Sequence, residues 1–248
     1  MRRMIALVAA LLLLLMLCSG CGNKDAANTS EGKTTNDVDA QAIYAPLIDA
    51  YREAIENYDY DSYDLDINFM TIDYYNYFGN MAGYTVFDIN RDGTPELIIG
   101  GKDDDEQDKM RPEAIGGIYT LQDGAPKWLL GSVDEYSLVS VLKDGRILEW
   151  CLYWGKAIES GNTWNVFELK DGALSRVKTY FGVEVSYDEK TGTAEYTNCY
   201  STDNALPLDK DGEVLTDEMQ PMEPSAFAKT MTALEEAKVK LPITLFSE

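Results

Sequence analysis

The chain has 248 residues and a formal net charge of −22, from 43 acidic and 21 basic side chains, and it contains no histidine. This charge argues against a nucleic-acid partner, because phosphates need a basic surface. The lack of histidine excludes Ser-His-Asp and Cys-His nucleophile systems and histidine-ligated zinc sites.

Residues 1–20 have the features of a bacterial lipoprotein signal peptide. Arg2 and Arg3 form a positive start, and residues 4–17 are an apolar run too short to span a bilayer comfortably. The small residues before Cys21 resemble a lipobox, in which the cysteine is lipidated and becomes the mature N-terminus. A plain secretory signal is the alternative. The resemblance implies anchoring at the extracellular face of a bacterial membrane, where each buried methylene of the lipid contributes about 0.8 kcal/mol.

The rest of the chain divides into a tether and one domain. Residues 21–39 are small and polar and show no apolar periodicity, which predicts a flexible tether. Residues 40–248 are enough for one well-buried domain. The domain contains two cysteines, Cys151 and Cys199, and the sequence leaves open whether they form a disulfide or remain two buried thiols.

The first predicted element of the domain is an amphipathic helix over residues 40–58. Its apolar residues recur at i, i+3 and i+4 spacing, and they are Ile43, Tyr44, Leu47, Ile48, Tyr51 and Ile55. The following segment, residues 58–84, is dense in tyrosine and aspartate. Its pattern is compatible with a short second helix or with a strand.

Residues 88–96 read D-I-N-R-D-G-T-P-E, with oxygen-bearing side chains at loop positions 1, 3, 5 and 9 and a glycine at position 6. Ca²⁺ takes six to eight oxygen ligands, and a tight loop that offers alternate side chains and a backbone carbonyl suits it. The predicted ligands are Asp88, Asn90, Asp92, Thr94 through its carbonyl, and Glu96. The alternative is an ordinary Asx-type turn, in which the loop side chains bond their own backbone.

Calcium is the favoured interpretation of the 88–96 loop, because three carboxylates at one turn raise each other's pKa without a cation. Apolar residues flank the loop on both sides, which predicts a strand-loop-strand unit. The EF-hand pattern needs a carboxylate at position 12, which is Ile99 here. The loop instead resembles the FG-GAP type of surface repeat, which ends on an acid at position 9, as Glu96 does. The resemblance implies the ion and no particular activity.

Beyond the loop the pattern predicts β-structure. Asp-Gly between apolar runs is a strong hairpin signal, and it occurs at Asp92-Gly93, Asp123-Gly124, Asp144-Gly145, Asp171-Gly172 and Asp211-Gly212. Another hairpin is predicted through residues 188–192. These turns indicate an antiparallel meander of roughly eight to ten strands. Their irregular spacing disfavours a propeller, so we expect one curved sheet or a partial barrel.

A second amphipathic helix is predicted near the end of the chain, over residues 225–238, after two prolines. The predicted fold is therefore α+β, an antiparallel meander with helices from both chain ends packed on it. The order of lipobox, helix, acidic loop, hairpins and terminal helix resembles lipoproteins of uncertain function from gut Firmicutes. That resemblance implies surface display. We expect a calcium-stabilised binding or scaffold module for an unknown protein or glycan ligand.

The alternative function is a carbohydrate-binding or glycoside-processing protein. Glycoside hydrolysis needs two acids about 5 to 9.5 Å apart, and Glu149 with Glu184 or Glu195 are the candidates, although solvated acids on strand faces are the simpler interpretation. Four tryptophans accompany the strands and either stack on sugar rings or fill the core, and they are Trp128, Trp150, Trp154 and Trp164.

Overall fold

The computed structural model describes residues 35–57, 82–101, 115–132, 137–153, 161–188 and 193–247. The chain from Thr34 to Glu248 forms one compact unit. The predicted signal peptide, Cys21, residues 21–34 of the predicted tether and most of the tyrosine-rich segment lie outside the described residues. None of the helices within the described residues is both long and apolar enough to cross a membrane.

Two α-helices and eleven strands make up the described fold, with a short 3-10 helix at Thr216–Glu218 between β9 and β10. In chain order they are α1 (Thr35–Asn57), β1 (Ala82–Phe87), β2 (Glu96–Gly101), β3 (Ile115–Gln122), β4 (Ala125–Leu130), β5 (Ser137–Val141), β6 (Arg146–Tyr153), β7 (Gly161–Lys170), β8 (Ala173–Asp188), β9 (Thr193–Thr202), β10 (Gln220–Met222), α2 (Pro224–Glu236) and β11 (Thr244–Leu245). The first helix begins at Thr35, five residues before the predicted start and inside the segment predicted to be a tether.

The strands form two antiparallel sheets. The five-stranded sheet has the order β11-β1-β2-β3-β4, and the six-stranded sheet has the order β10-β9-β8-β7-β6-β5. The predicted α+β class and antiparallel meander are confirmed, but the meander divides between β4 and β5. One physical reason lies in β4, where Pro126 has no N–H to donate and Lys127 is exposed. Both features are typical of a strand at the edge of a sheet.

The Asp-Gly pairs lie where the sequence predicts turns. Four of them close the hairpins β1–β2, β3–β4, β5–β6 and β7–β8, and the fifth lies between the paired residues Leu208 and Val214. Asp123 and Gly124 both have positive φ, 54° and 78°. Two successive positive φ values are the signature of the type I′ turn, which matches the twist of the flanking strands.

Each sheet is covered by a helix on one face and by the other sheet on its opposite face. Tyr44 and Tyr51 of α1 pack with alternate residues of β2, while Ile98, between those residues, packs toward the six-stranded sheet. In the same way Phe227 of α2 packs on Trp164 of β7, while Phe167 faces the five-stranded sheet. Successive residues of a strand point to opposite faces, so the layers run helix, sheet, sheet, helix.

Candidate metal-binding loop

The 88–96 loop connects β1 to β2, so it lies at the tip of a hairpin as the sequence predicts. The two strands are in register up to the loop, where Phe87 pairs with Glu96. At the start of the loop Asp88 accepts two backbone hydrogen bonds, from Asp92 N at 3.1 Å and from Gly93 N at 2.9 Å. Gly93 has a φ of 92°, a left-handed conformation that favours glycine.

The side chains at loop positions 3 and 5 also bond within the loop. Asn90 Oδ1 accepts a hydrogen bond from Asp92 N at 3.2 Å, and Asn90 Nδ2 donates to Asp92 Oδ2 at 2.8 Å. Asp92 Oδ1 in turn accepts from Thr94 N at 2.8 Å. These bonds are the Asx-type arrangement that the sequence offers as the alternative to calcium.

Glu96, at loop position 9, is buried, with 1% of its surface exposed. Its Oε2 accepts a hydrogen bond from Ile89 N at 3.1 Å, and its Oε1 accepts from the Thr120 hydroxyl at 3.1 Å. Burial raises the pKa of Glu96 to about 7, and the charges of Asp92 and Asp88 contribute in the same direction. The two hydrogen bonds oppose the rise. A buried acid therefore lies at the base of the loop, close enough to two further acids to feel their charge.

The helix α1 supports the same end of the loop. The Tyr44 hydroxyl is 3.1 Å from Pro95 O and 3.2 Å from Tyr119 O. Burial raises the pKa of Tyr44 above its usual value, and the charge of Glu96 raises it further. The sequence alone does not place Thr120 and Tyr44 at the loop, because nothing in the local pattern links β3 or α1 to it.

The loop contains oxygen atoms suitable for binding calcium. In the structure most of these atoms accept hydrogen bonds from the loop's own backbone N–H groups. Within the described residues, no three or more side chains of His, Cys, Asp or Glu are grouped so that they could hold an ion. The donor chemistry nevertheless fits, because the predicted ligands offer only oxygen atoms to a cation that prefers oxygen. Each carboxylate oxygen that accepts one hydrogen bond also keeps a further lone pair. Calcium binding by this loop therefore stays a prediction.

The three candidate catalytic acids are not brought together. Each accepts a hydrogen bond from a neutral side chain, Glu149 from Asn165 at 2.8 Å, Glu184 from Asn162 at 3.2 Å and Glu195 from Ser186 at 3.0 Å.

The sheet separates these acids. Glu149 on β6 and Glu195 on β9 are three strand spacings apart, about 14 Å at the usual spacing. Glu184 lies on β8, two strand spacings from β6. It is also five residues along β8 from Thr179, the residue level with Glu149, so it lies about 16 Å farther along the strand direction than Glu149. Both separations exceed the range of about 5 to 9.5 Å that glycoside hydrolysis uses. Glu184 pairs with Tyr196, and Glu195 precedes Tyr196 on β9. Because successive residues of a strand point to opposite faces, the side chains of Glu184 and Glu195 lie on opposite faces of the sheet.

The described tryptophans pack into the cores. Trp164 is 5% exposed and makes edge contacts with the rings of Tyr196 and Phe227, with centroids 5.6 and 5.5 Å apart. Trp128 packs on Tyr119 at 5.1 Å. Trp150 is half-buried against the α2 cluster. Trp154 lies outside the described residues, so the described set follows the core-filling interpretation.

Cys151 and Cys199 are not joined by a disulfide in the structure. Cys151 lies on β6 and Cys199 on β9, and β7 and β8 run between them. Three strand spacings, about 14 Å, exceed the roughly 7 Å Cα separation that a disulfide tolerates. Burial raises the pKa of the Cys199 thiol, which makes this thiol less reactive.

Comparison with known proteins shows no family for this chain. No family model matches the sequence, and neither the curated proteins nor the solved structures provide a match.

Proposed function

We propose that the protein is a membrane-anchored extracellular lipoprotein whose domain is a calcium-stabilised binding or scaffold module. The lipid on Cys21 holds it at the outer face of a bacterial membrane. Asp88, Asn90, Asp92 and Glu96 bind calcium through their side chains, and Thr94 binds it through its carbonyl. The ligand of the module is an unknown protein or a glycan.

The observation that carries the calcium proposal is the environment of Glu96. Its carboxyl is buried at the end of the loop, and its pKa is raised to about 7 by burial and by Asp92 and Asp88. Near neutral pH such a site gains from a cation, because a buried negative charge beside two others is costly until it is neutralised. A divalent ion supplies that charge, and the alternating oxygen atoms of the loop supply its ligands.

Thermal unfolding of the purified full chain, in calcium and in chelator, tests the proposal. We expect calcium at about 100 times its dissociation constant to stabilise the fold by about 2.7 kcal/mol, and Asp88→Ala with Asp92→Ala to abolish this shift.

The matched control for this experiment is the turn at residues 209–213, which reads D-K-D-G-E. Asp209 Oδ1 accepts hydrogen bonds from Asp211 N at 2.8 Å and from Glu213 N at 2.9 Å. Asp209→Ala with Asp211→Ala should keep the calcium shift. Equal melting of the wild type in calcium and in chelator would count against the proposal, and so would loss of the shift in this control alone.

The anchor is tested separately from the ion. Cys21→Ser should release the protein from the membrane fraction of the producing cell, whereas Cys18→Ser should leave it there, since the acyl chains are proposed to be on Cys21 alone. Membrane retention of the Cys21 variant would remove the lipid from the proposal and leave the calcium part intact.

The carbohydrate alternative has less support. The candidate acids are separated by the sheet, and the described tryptophans contribute to cores rather than to an open face. A glycan array with the folded protein distinguishes the two functions. Binding to defined sugars would favour the alternative, and silence with an intact fold would remove it.

A further inference from the structure

The 88–96 loop belongs to the five-stranded sheet, but two of its side chains bond the six-stranded sheet. Asn90 Nδ2 donates a hydrogen bond to Leu169 O, at the end of β7, at 3.0 Å. Arg91 Nη2 donates to Lys143 O, in the β5–β6 turn, at 3.2 Å. The loop therefore holds the ends of both sheets together.

A close backbone contact accompanies these hydrogen bonds. A Cβ added to Gly145, in the β5–β6 turn, would lie 2.8 Å from Ile89 O and 3.1 Å from Asn90 Cα. The turn and the loop therefore touch at a point where only glycine fits without a shift. Ile89 itself is buried in the cluster between the sheets, with Val141 and Ile147.

The β5–β6 turn also contacts the end of α2. Lys143 N donates to Ala237 O at 2.8 Å, and Lys143 Nζ donates to Glu236 O at 2.7 Å. Lys143 thus accepts from the loop through its carbonyl and donates to the helix end. A displacement of the loop has a direct route to the six-stranded sheet and its helix.

Asn90 connects the two roles of the loop. Its Oδ1 is a proposed calcium ligand, and its Nδ2 contacts Leu169 O. The two atoms belong to one planar amide group, so an ion that holds the oxygen atom restricts rotation of the group and with it the position of the nitrogen atom. We propose that the 88–96 loop is a clasp between the two sheets, and that an ion bound in it stabilises the adjoining strand β7 of the six-stranded sheet as well as the loop's own sheet. The second half of this proposal rests on the proposed calcium binding.

Hydrogen exchange on the purified full chain tests the clasp, with Gly145→Ala as the variant. Gly124→Ala is the matched control, because Gly124 has a similar φ, 78° against 85°, and nothing within 4 Å of its added Cβ. In chelator we expect amides of residues 82–101 and 161–170 to exchange on the order of tenfold faster in Gly145→Ala than in Gly124→Ala. Residues 193–202, on β9, serve as the reference region that should not change.

Calcium provides the second arm of the experiment. In the wild type and in Gly124→Ala, calcium should slow exchange in both 82–101 and 161–170, whereas in Gly145→Ala it should slow exchange in 82–101 alone. The two proposals then fail in different ways. Slower exchange confined to 82–101 in the wild type overturns the transmission and leaves calcium binding intact. No calcium effect at 82–101 overturns the proposed function and the transmission together.

The calcium-free arm decides the clasp independently of the ion. If Gly145→Ala and Gly124→Ala exchange alike at 82–101 and at 161–170, the loop does not couple the sheets. The two variants share the cost of placing alanine at positive φ, but Gly145 lies in a turn of the six-stranded sheet and Gly124 in a turn of the five-stranded sheet. Faster exchange at 82–101 in Gly145→Ala, in the sheet that does not contain Gly145, therefore reports the contact with the loop.

Discussion

Two loops of the protein have similar sequences and different surroundings. Residues 88–96 read D-I-N-R-D-G-T-P-E, and residues 209–213 read D-K-D-G-E. In both, the leading aspartate accepts two backbone N–H groups of its own loop, and a glycine adopts positive φ, 92° at Gly93 and 84° at Gly212. As turns, the two loops are held by the same kind of hydrogen bond.

The difference lies at the glutamate that ends each sequence. Glu96 is buried and bonded to Ile89 N and to Thr120, from another strand. Glu213 is half-buried, in a turn whose flanking residues Leu208 and Val214 pair with each other. The Asp-Gly pattern therefore specifies a turn, whereas a candidate ion site also requires a carboxylate held in the core.

The largest effect should come from removing the buried carboxyl. Glu96→Ala leaves Ile89 N and the Thr120 hydroxyl without their acceptor inside the protein, and each unsatisfied buried group costs about 1 to 3 kcal/mol. We expect a loss of about 3 kcal/mol or more in denaturant unfolding without calcium at pH 5.5, where the carboxyl is protonated. Glu213→Ala should cost under about 1 kcal/mol. Equal losses in the two variants would mean that the surroundings of Glu96 do not matter.

The second-largest expected effect is the dependence of the free energy of unfolding on pH in the absence of calcium. The pKa of Glu96 is raised from 4.5 to about 7 in the folded protein. Between these values the folded chain holds the proton and the unfolded chain does not, so stability is highest at low pH and falls as the pH rises through 7. We expect Glu96 to contribute a loss of about 2 to 3 kcal/mol between pH 5 and 8.

The matched variants for this titration are Glu96→Gln and Glu213→Gln. The first should remove the loss, because glutamine has no proton to release, and the second should keep it. Saturating calcium should reduce the loss in the wild type, since the ion offsets the charge that appears on Glu96. A Glu96→Gln profile parallel to that of the wild type would show that another group causes the pH dependence.

Local signals in the sequence predict much of the fold. Asp123-Gly124 specifies its hairpin through two successive positive φ values, and the spacing of Tyr44, Leu47 and Tyr51 specifies the buried face of α1. These signals depend on neighbours in the chain. The division into two sheets depends on how strand faces meet across the core, which alternation alone does not specify.

The sequence alone predicts the residues of the candidate site, but not the distant residues that contact the loop. Asp88, Asn90, Asp92 and Glu96 stand out by their spacing. The hydrogen bond from Thr120 spans 24 residues and that from Tyr44 to Pro95 spans 51. The contact of Asn90 with Leu169 spans 79. Contacts over such distances arise from tertiary packing, which local patterns in one sequence do not specify.

The smallest expected effect concerns Asp88 and Asp209, the leading aspartates of the two loops. In chelator, Asp209→Ala leaves Asp211 N and Glu213 N without a side-chain acceptor, whereas Asp88→Ala leaves only Gly93 N, since Asp92 N keeps its hydrogen bond to Asn90 Oδ1. Each variant should cost about 1 kcal/mol, as for a lost helix cap. Similar losses in denaturant unfolding would support the view that the leading aspartates have the same structural role in the two loops. A loss for Asp88→Ala several times that for Asp209→Ala would contradict this view, because Asp88 would then stabilise the fold by more than its two backbone hydrogen bonds even without calcium.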